Sequence, residues 1–436
     1  MPQKHPYLDN LGEPEPRSTF RTHALSAIIG GVVGVVLARN FFESEKKVTH
    51  AIITDYGVRD PAFYRTISQL LGPPFLEGNH VEVFENGAEI FPAMLDLIRS
   101  AKKTVTFENF VFTSGKIAMA FAEAFAERAR AGVKVHFLQD AMGCNCVRGE
   151  EFRIMKEAGV EVEVFRYVHL RFNERTHRKL LIADGKSGFI GGVGISDDWD
   201  GHGDRPGIWR DTQYRVEGPV VGQMQQAFMD NWMQTRAEVL HGDNYFPELT
   251  PQGKMDCQVF KSSSSEGADS ARLMILFAIA AARRTIHIAN AYFIPDDLTI
   301  QTLVEARARG VEVEVIVPGP YTDQHLVRQV GRARWRKMLD AGVRFFEFQP
   351  ARYHCKYLIV DNMLTCVGSC NIDNRSLRLN EEANLNIMDE PFATMHEEIF
   401  QRDRAQCAEI TPEIWRGRPF KEKVSGLLGC VLRSQL

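Results

Sequence analysis

The sequence has 436 residues, of which 44% are hydrophobic, and its formal net charge at pH 7 is -4. A chain of this length and apolar content can bury two hydrophobic cores, and its slightly acidic balance gives no basic field that would attract nucleic acid. Its eight cysteines lack the Cys-x2-Cys spacing that is typical of a zinc site.

The first element in chain order is an uncharged apolar stretch at residues 24–38, which is bounded by two arginines. It is shorter than the about 20 residues of a usual transmembrane helix, although two following phenylalanines extend it into the interface. Acidic residues stand where a cleaved signal peptide has its basic region, which disfavours that alternative. A buried soluble helix is disfavoured because the stretch has several small helix breakers and no amphipathic face. The sequence therefore predicts a membrane anchor at about 24–42, within an N-terminal tail of residues 1–46.

The rest of the chain consists of two similar parts. The words RARAGV at 128–133 and MKEAGV at 155–160 return as RARGV at 307–311 and MLDAGV at 338–343. The offset is roughly 180 residues throughout, so the repeat unit is domain-sized. The predicted boundaries are a connector at 47–79, a first half at 80–240, a connector at 241–256 and a second half at 257–436.

Helix and strand patterns alternate within each half. Residues 91–98 have helical apolar spacing, and residues 105–112 are rich in aromatic and β-branched side chains, which predicts a strand. Residues 118–131 predict an alanine-rich helix that ends at a glycine, and residues 133–138 predict the next strand. The same order returns over residues 274–317. This alternation predicts an α/β layer with a mainly parallel sheet.

Each half also contains one rare motif, His-x-Lys-x4-Asp. The first copy is HRKLLIAD, which begins at His177, and the second is HCKYLIVD, which begins at His354. At average residue usage this pattern arises by chance only about 0.03 times in a chain of this length. Apolar residues follow each lysine and predict a buried strand, on which side chains two residues apart share a face. Each histidine is therefore expected to point to the same side as its lysine.

An imidazole beside an ammonium group is suited to a phosphate. The ammonium group binds the non-bridging oxygens, while the imidazole attacks phosphorus or protonates the leaving oxygen. The alternative, two core histidines in buried strands, leaves two buried lysines with no reason to recur. The candidate catalytic residues are His177, Lys179, Asp184, His354, Lys356 and Asp361. Among them, the two aspartates at the strand ends are expected to fix the structure around each motif more than to contact a substrate.

The two motifs resemble those of the phospholipase D superfamily. Several other stretches are similar to bacterial cardiolipin synthases of the phospholipase D type, and together they cover nearly everything from 81 to about 395. They include FPAM at 91–94, WRDT at 209–212, EGP at 217–219, ANAYFIPDD at 289–297 and NIDNRS at 371–376. The resemblance implies a duplicated α/β/α sandwich in which two halves related by a pseudo-two-fold axis share one active-site cleft.

A glycine follows each motif at the same distance. The second copy continues as Gly368-Ser369-Cys370-Asn371, which matches the Gly-Ser-x-Asn turn of the superfamily, where Ser369 and Asn371 provide hydrogen bonds to phosphate. The first copy continues as GGVG, so Gly192 is expected to offer a backbone N–H instead. We therefore expect the two loops to contribute unequally.

The resemblance implies a displacement at phosphorus in two steps, without a metal or a cofactor. One histidine forms a phosphohistidine, and the other serves as acid and base. The family assigns His177 as the nucleophile and His354 as the acid and base, although the sequence alone does not order them. By family position, Asp211 and Glu382 hold the imidazole tautomers; the alternative is that they are structural or surface carboxylates.

The implied reaction converts two phosphatidylglycerol molecules into cardiolipin and glycerol. Its partners are membrane phospholipids and the membrane surface, and the implied location is the bacterial inner membrane, with the anchor at its N-terminus and the catalytic domain in the cytoplasm. A hydrolytic phospholipase D uses the same histidines and stays open as an alternative. A nuclease is less favoured, since the acidic balance and the apolar segment disagree with nucleic acid as a partner. The sequence does not indicate an oligomeric state.

Overall fold

The computed structural model describes residues 26–35, 50, 52–143, 149–165, 174–263 and 270–431. It contains two units, one formed by residues 1–46 and 168–173 and the other by residues 47–167 and 174–436. In the first unit the described residues form a helix, α1, at 26–35, and all of its side chains are exposed.

The predicted N-terminal membrane anchor is wrong. Among the described residues, no helix is both long enough and apolar enough to cross a membrane. The single anchor at 24–42, and the inner-membrane location that rested on it, are therefore not supported; residues 24, 25 and 36–42 of that prediction lie outside the described residues.

The second unit begins with the elements of the first half. In chain order they are α2 (Pro61–Leu70), β1 (Leu76–Glu85), α3 (Asn86–Ser100), β2 (Thr104–Asn109), α4 (Lys116–Arg130), β3 (Lys134–Asp140), α5 (Glu150–Glu157), β4 (Glu161–Phe165), β5 (Arg175–Thr176), β6 (Leu180–Ala183), β7 (Ser187–Gly191), a 3-10 turn (Asp197–Trp199), β8 (Trp209–Arg210), β9 (Thr212–Glu217) and α6 (Val221–Arg236).

The second half repeats this order. Its elements are β10 (Met255–Ser262), α7 (Ser270–Ala281), β11 (Thr285–Asn290), α8 (Asp297–Ala308), β12 (Glu312–Pro318), α9 (His325–Arg334), α10 (Arg336–Asp340), β13 (Arg344–Phe348), β14 (Arg352–Tyr353), β15 (Lys356–Val360), β16 (Leu364–Gly368), α11 (Asn374–Arg378), β17 (Asn380–Met388), α12 (Glu390–Arg404), β18 (Cys407–Glu409), α13 (Pro412–Arg416) and α14 (Phe420–Gly429).

Strands from both halves form one continuous sheet in the described part of the chain. Its order is β18-β13-β12-β11-β15-β16-β17-β10-β1-β9-β7-β6-β2-β3-β4, and β5 pairs with β17. The halves meet where β1 pairs with β10, and outward from this junction the two halves have matching strand orders. The duplicated α/β fold that the sequence predicts is confirmed.

The expectation of a mainly parallel sheet is wrong. Parallel pairing within the described sheet joins β2 to β3 to β4, β11 to β12 to β13, and the short β5 to β17. The pairs around the junction and those of the motif strands β6 and β15 are antiparallel. The strand and helix alternation indicates only the parallel outer part, because antiparallel partners such as β1 and β9 lie far apart in sequence.

The motif strands are buried on both faces. In β6, Leu180 and Ile182 pack in a central cluster to which both halves contribute, while Leu181 packs against the opposite face with α3 and α4. Strand β15 divides its side chains in the same way. The stretch 47–79, assigned above to a connector, includes α2, whose Phe63 and Ile67 pack in the outer cluster of the second half. The halves therefore share a core, and their relative position is fixed by packing.

Candidate active site

A short parallel pair between the halves positions the first motif histidine. Strand β5 pairs with the start of β17, so that Thr176 lies opposite Glu381. The backbone N–H of His177 then donates to the carbonyl oxygen of Glu381 over 2.8 Å. As a result, Nδ1 of His177 lies 3.0 and 3.1 Å from the two carboxylate oxygens of Glu382.

The second histidine is positioned in the same way with the halves exchanged. Strand β14 pairs in parallel with β8, so that Tyr353 lies opposite Arg210. The backbone N–H of His354 donates to the carbonyl oxygen of Arg210 over 2.8 Å. Nδ1 of His354 lies 2.7 Å from Oδ2 of Asp211. Each motif histidine therefore contacts a carboxylate that belongs to the opposite half.

The electrostatics favour neutral imidazoles beside ionised carboxylates. Burial lowers the pKa of His177 to about 4, more than the attraction of Glu382 raises it. Burial also lowers the pKa of His354, in spite of Asp211. Burial raises the pKa of each carboxyl group, but the facing histidine, a motif lysine and a second hydrogen-bond donor together outweigh it, so the pKa values of Asp211 and Glu382 lie below the usual range. With an ionised acceptor at Nδ1–H, the imidazole lone pair is on Nε2.

The motif lysines form a matching pair of buried cations. Nζ of Lys179 donates to the carbonyl oxygen of His177, and Nζ of Lys356 donates to that of His354, each over 2.7 Å. Burial lowers the pKa of Lys179 to about 7, and it also lowers the pKa of Lys356. An anion bound between these groups would restore both ammonium charges, so the site favours an anionic ligand.

Residues of both halves line a cavity of about 380 Å³ at this point. His177, Lys179 and His354 all line it, as do Arg175 and Arg375. Its aromatic side chains are Phe110, Trp199, Trp209 and Tyr292. The arrangement is suited to nucleophilic attack on a phosphodiester, since it combines two neutral imidazoles with cationic side chains.

Comparison with known proteins agrees with this geometry. Residues 94–199 and 275–404, more than half of the chain, match the family described as "Cardiolipin synthase, PLD-like domain". The chain belongs to this family.

Two relatives show how far the similarity extends. Cardiolipin synthase A of Pseudomonas fluorescens is 31% identical over 357 residues, which cover 81% of this chain and 74% of that protein. A cardiolipin synthase of Staphylococcus aureus is 30% identical over 365 residues, with the same coverage of 81% and 74%. The chain is thus an enzyme of the phospholipase D-type phosphatidyltransferase class.

A solved structure supports the fold alone. Phosphatidylserine synthase of Haemophilus influenzae superimposes with a TM-score of 0.66 at 13% sequence identity, covering 86% of this chain and 100% of that one. The duplicated architecture is therefore shared with another phospholipid synthase in spite of low sequence identity.

The residues that follow the two motifs of this family member differ in sequence. In the second half, Ser369 lies against a carboxylate. Its hydroxyl donates to Oε2 of Glu382 over 2.5 Å, so it supports the partner of His177. Asn371 lines the cavity. In the first half, Gly192 stands at the position equivalent to Ser369. A Cβ on Gly192 would lie 3.0 Å from Oδ1 of Asp211, so glycine leaves room for that carboxylate.

The motif aspartates have a different environment from the histidines. Asp184 accepts hydrogen bonds from the backbone N–H groups of residues 102–104, and Asp361 accepts them from residues 283–285. Both have positive φ, 54° and 53°. Each carboxylate thus ties the turn after a motif strand to the start of the adjacent β2 or β11.

Sequence reasoning missed Trp199. Its indole Nε1–H donates to Oδ2 of Asp211 over 3.1 Å. This hydrogen bond corresponds to the one that the Ser369 hydroxyl donates to Glu382. The Trp199 ring lies 5.4 Å from that of His354 and fills the space beside Gly194, where a Cβ would be 3.1 Å from the indole. The glycine that stands at the position of Asn371 was the available signal, since a missing side chain at a buried site leaves space for another.

The paired carboxylate leads to a first prediction. Glu382→Gln keeps the side-chain shape but no longer fixes the tautomer of His177, so we expect kcat to fall by about 10² to 10⁴ in a folded protein. Glu382 raises the pKa of His177, so its loss should lower that pKa. Since His177 attacks only when neutral, the acid limb of kcat/KM should move to lower pH, as measured with a soluble phosphodiester.

Asp361→Asn is the matched control, because it also removes one carboxylate and asparagine tolerates positive φ. We expect the free energy of unfolding to fall by about 1–3 kcal/mol with kcat unchanged. The opposite result, a folded Asp361→Asn variant without turnover beside an active Glu382→Gln variant, would contradict these assignments.

Proposed function

We propose that the protein joins two phosphatidylglycerol molecules into cardiolipin and releases glycerol through a phosphohistidine. The observation that carries the proposal is the crossed pair of carboxylate-bound histidines in one cavity, Glu382 with His177 and Asp211 with His354. The names of the relatives, cardiolipin synthases that align over most of the chain, support the choice of substrate.

In the first step, Nε2 of His177 attacks the phosphorus of the donor lipid. The N–P bond forms as the P–O bond to glycerol breaks, and Nε2–H of His354 gives its proton to the leaving oxygen. His354 must carry that proton when the donor is bound, although burial lowers its pKa in the empty site. The bound phosphodiester anion favours this protonation by its charge.

In the second step, the acceptor lipid replaces glycerol. His354, now neutral, takes the proton of a headgroup hydroxyl, whose oxygen attacks phosphorus while the P–N bond to His177 breaks. Lys179 and Lys356 stabilise the charge on the non-bridging oxygens in both transition states. The roles of the histidines follow the family resemblance, and the trapping experiment described below tests them.

Two arginines support an anionic acceptor. Arg175 and Arg375 line the cavity that contains the histidines. Burial, and next the charge of Arg175, lower the pKa of Arg375 to about 10, so the two cations are near one another. The reaction places two phosphate groups in one cavity, and a second phosphate between the arginines relieves their repulsion. Water and free glycerol are uncharged acceptors, which do not need two cations for binding.

The product pattern gives one prediction. Phosphatidylglycerol alone should yield cardiolipin and free glycerol in equal amounts, and added glycerol should slow the reaction and drive it backward, since one phosphodiester is exchanged for another. Lipid mass spectrometry measures both products. If phosphatidic acid dominates at every lipid concentration and glycerol has no effect, the protein is a hydrolase of the same superfamily.

Arg375→Gln provides a variant for the same assay. It should slow transfer to phosphatidylglycerol by about tenfold or more, the loss expected when one hydrogen-bonded charge contact to phosphate is removed. Exchange of the glycerol headgroup with added isotope-labelled glycerol, an acceptor without a phosphate, should change much less. Equal losses with both acceptors would contradict an arginine site for the acceptor phosphate.

A trapping experiment tests the histidine roles. A phosphatidyl ester of p-nitrophenol has a leaving group that needs no general acid, so His354→Ala should still form the intermediate but resolve it slowly. Intact-protein mass and peptide mapping should then find a phosphatidyl group on His177. His177→Ala, checked for folding by circular dichroism, should carry none. A stable phosphatidyl adduct on His354 in the His177→Ala variant would instead make His354 the nucleophile and His177 the acid and base.

A further inference from the structure

The C-terminal helix α14 contacts α9 through its glycines. A Cβ on Gly426 would lie 2.6 Å from the carbonyl oxygen of Gln329, and one on Gly429 would lie 2.5 Å from Cγ2 of Val330. The contact face therefore excludes larger side chains. The apolar side chains of α14 must lie on its other faces.

Those side chains form an exposed apolar face, here called the α14 surface. It comprises Phe420, Val424, Leu427, Leu428 and Val431, with 79, 37, 70, 66 and 81% of each residue exposed. Their spacing places them along one side of a helix. A surface helix of a soluble protein normally has the reverse arrangement, and a contiguous exposed apolar face indicates a binding surface.

Helix α14 packs against α9, and the first turn of α9 reaches the cavity that contains the histidines. The Cβ position of Gly429 is 3.1 Å from Cδ1 of Leu326, which is itself 42% exposed and lies in the first turn of α9. Gln324, immediately before α9, and Val327, in the same turn, line the cavity. The helix that carries the apolar face is thus supported by a helix whose first turn lines the cavity.

Charge on the same helix indicates what covers this face. Lys421 and Lys423 are both exposed on α14. An apolar helix face accompanied by lysines is typical of helices that lie in the interface of an anionic bilayer, where apolar side chains insert and lysines contact the headgroups.

We propose that the α14 surface docks on an anionic lipid bilayer and presents the cavity to the lipids that enter it. This inference rests on the proposed function, since a phospholipid substrate must reach the cavity from a lipid surface. The bilayer is the occupant that the exposed Lys421 and Lys423 and a phospholipid substrate favour.

Vesicle sedimentation of the full chain tests the proposal. Wild type should bind vesicles of phosphatidylcholine with a quarter phosphatidylglycerol more tightly than pure phosphatidylcholine vesicles. Leu427→Ser and Leu428→Ser should each weaken binding by about tenfold, because each loses the insertion of one large apolar side chain. Leu70→Ser is the matched control, since Leu70 on α2 is 58% exposed and lies outside this surface; it should bind as wild type does.

Activity measurements distinguish a defect in membrane docking from a defect in catalysis. Both leucine variants should keep wild-type turnover of a short-chain phosphodiester dispersed as monomers and lose turnover of vesicle lipid. Hydrogen exchange of wild type provides a second measurement, in which residues 420–431 should gain protection when anionic vesicles are added.

Two results overturn the proposal. One is vesicle binding that is unchanged in both leucine variants, with no added protection of 420–431. The other is a dimer of wild type that the leucine substitutions dissociate while vesicle binding remains, which assigns the face to a second copy. Absence of cardiolipin formation by a wild type that still binds vesicles through Leu427 and Leu428 refutes the proposed reaction and leaves the docking surface in place.

Discussion

Two short parallel strand pairs across the halves determine the active site. In β5 with β17, and in β14 with β8, the residue before the histidine lies opposite the residue before the carboxylate. Backbone pairing therefore sets both the distance and the direction of each imidazole. Because removal of either histidine would leave its carboxylate as an uncompensated buried charge, which costs about 3–5 kcal/mol in known cases, the site depends on the association of the halves.

Burial determines the protonation of the motif histidines and lysines. The low dielectric lowers the pKa values of His177 and His354, so the imidazoles are neutral and one of them is a competent nucleophile at pH 7. The same burial makes Lys179 and Lys356 costly as isolated cations and stabilises them once an anion binds. The site is therefore preorganised for a phosphate, and we propose that the exposed face of α14, which packs on the cavity-lining helix α9, brings that phosphate from a lipid surface.

Local sequence patterns predicted the parts of the structure that depend on nearby residues. Helices α3 and α4 and strands β2 and β3 lie where the apolar spacing placed them, and the duplicated fold followed from the repeated words. The antiparallel pairs of β1 with β9 and β10 were not predicted, because they join strands distant in sequence, and neither was the contact of Trp199 with Asp211, which no local pattern indicates. Asp211 and Glu382 were named from family position, since no local pattern indicates a partner in the opposite half. The anchor prediction, which rested on apolar composition, is wrong, since no described helix is both long enough and apolar enough to cross a membrane.

The most direct test asks whether both halves act on one phosphorus atom. Orthovanadate adopts the five-coordinate geometry of a phosphoryl transition state, so a crystal structure of the full chain with orthovanadate would reveal how the histidines share it. A single vanadium should lie between the two histidines, bonded to Nε2 of one and within hydrogen-bond reach, about 3 Å through an apical oxygen, of Nε2 of the other. Two separate anions, or one anion that contacts a single half, would contradict a shared site.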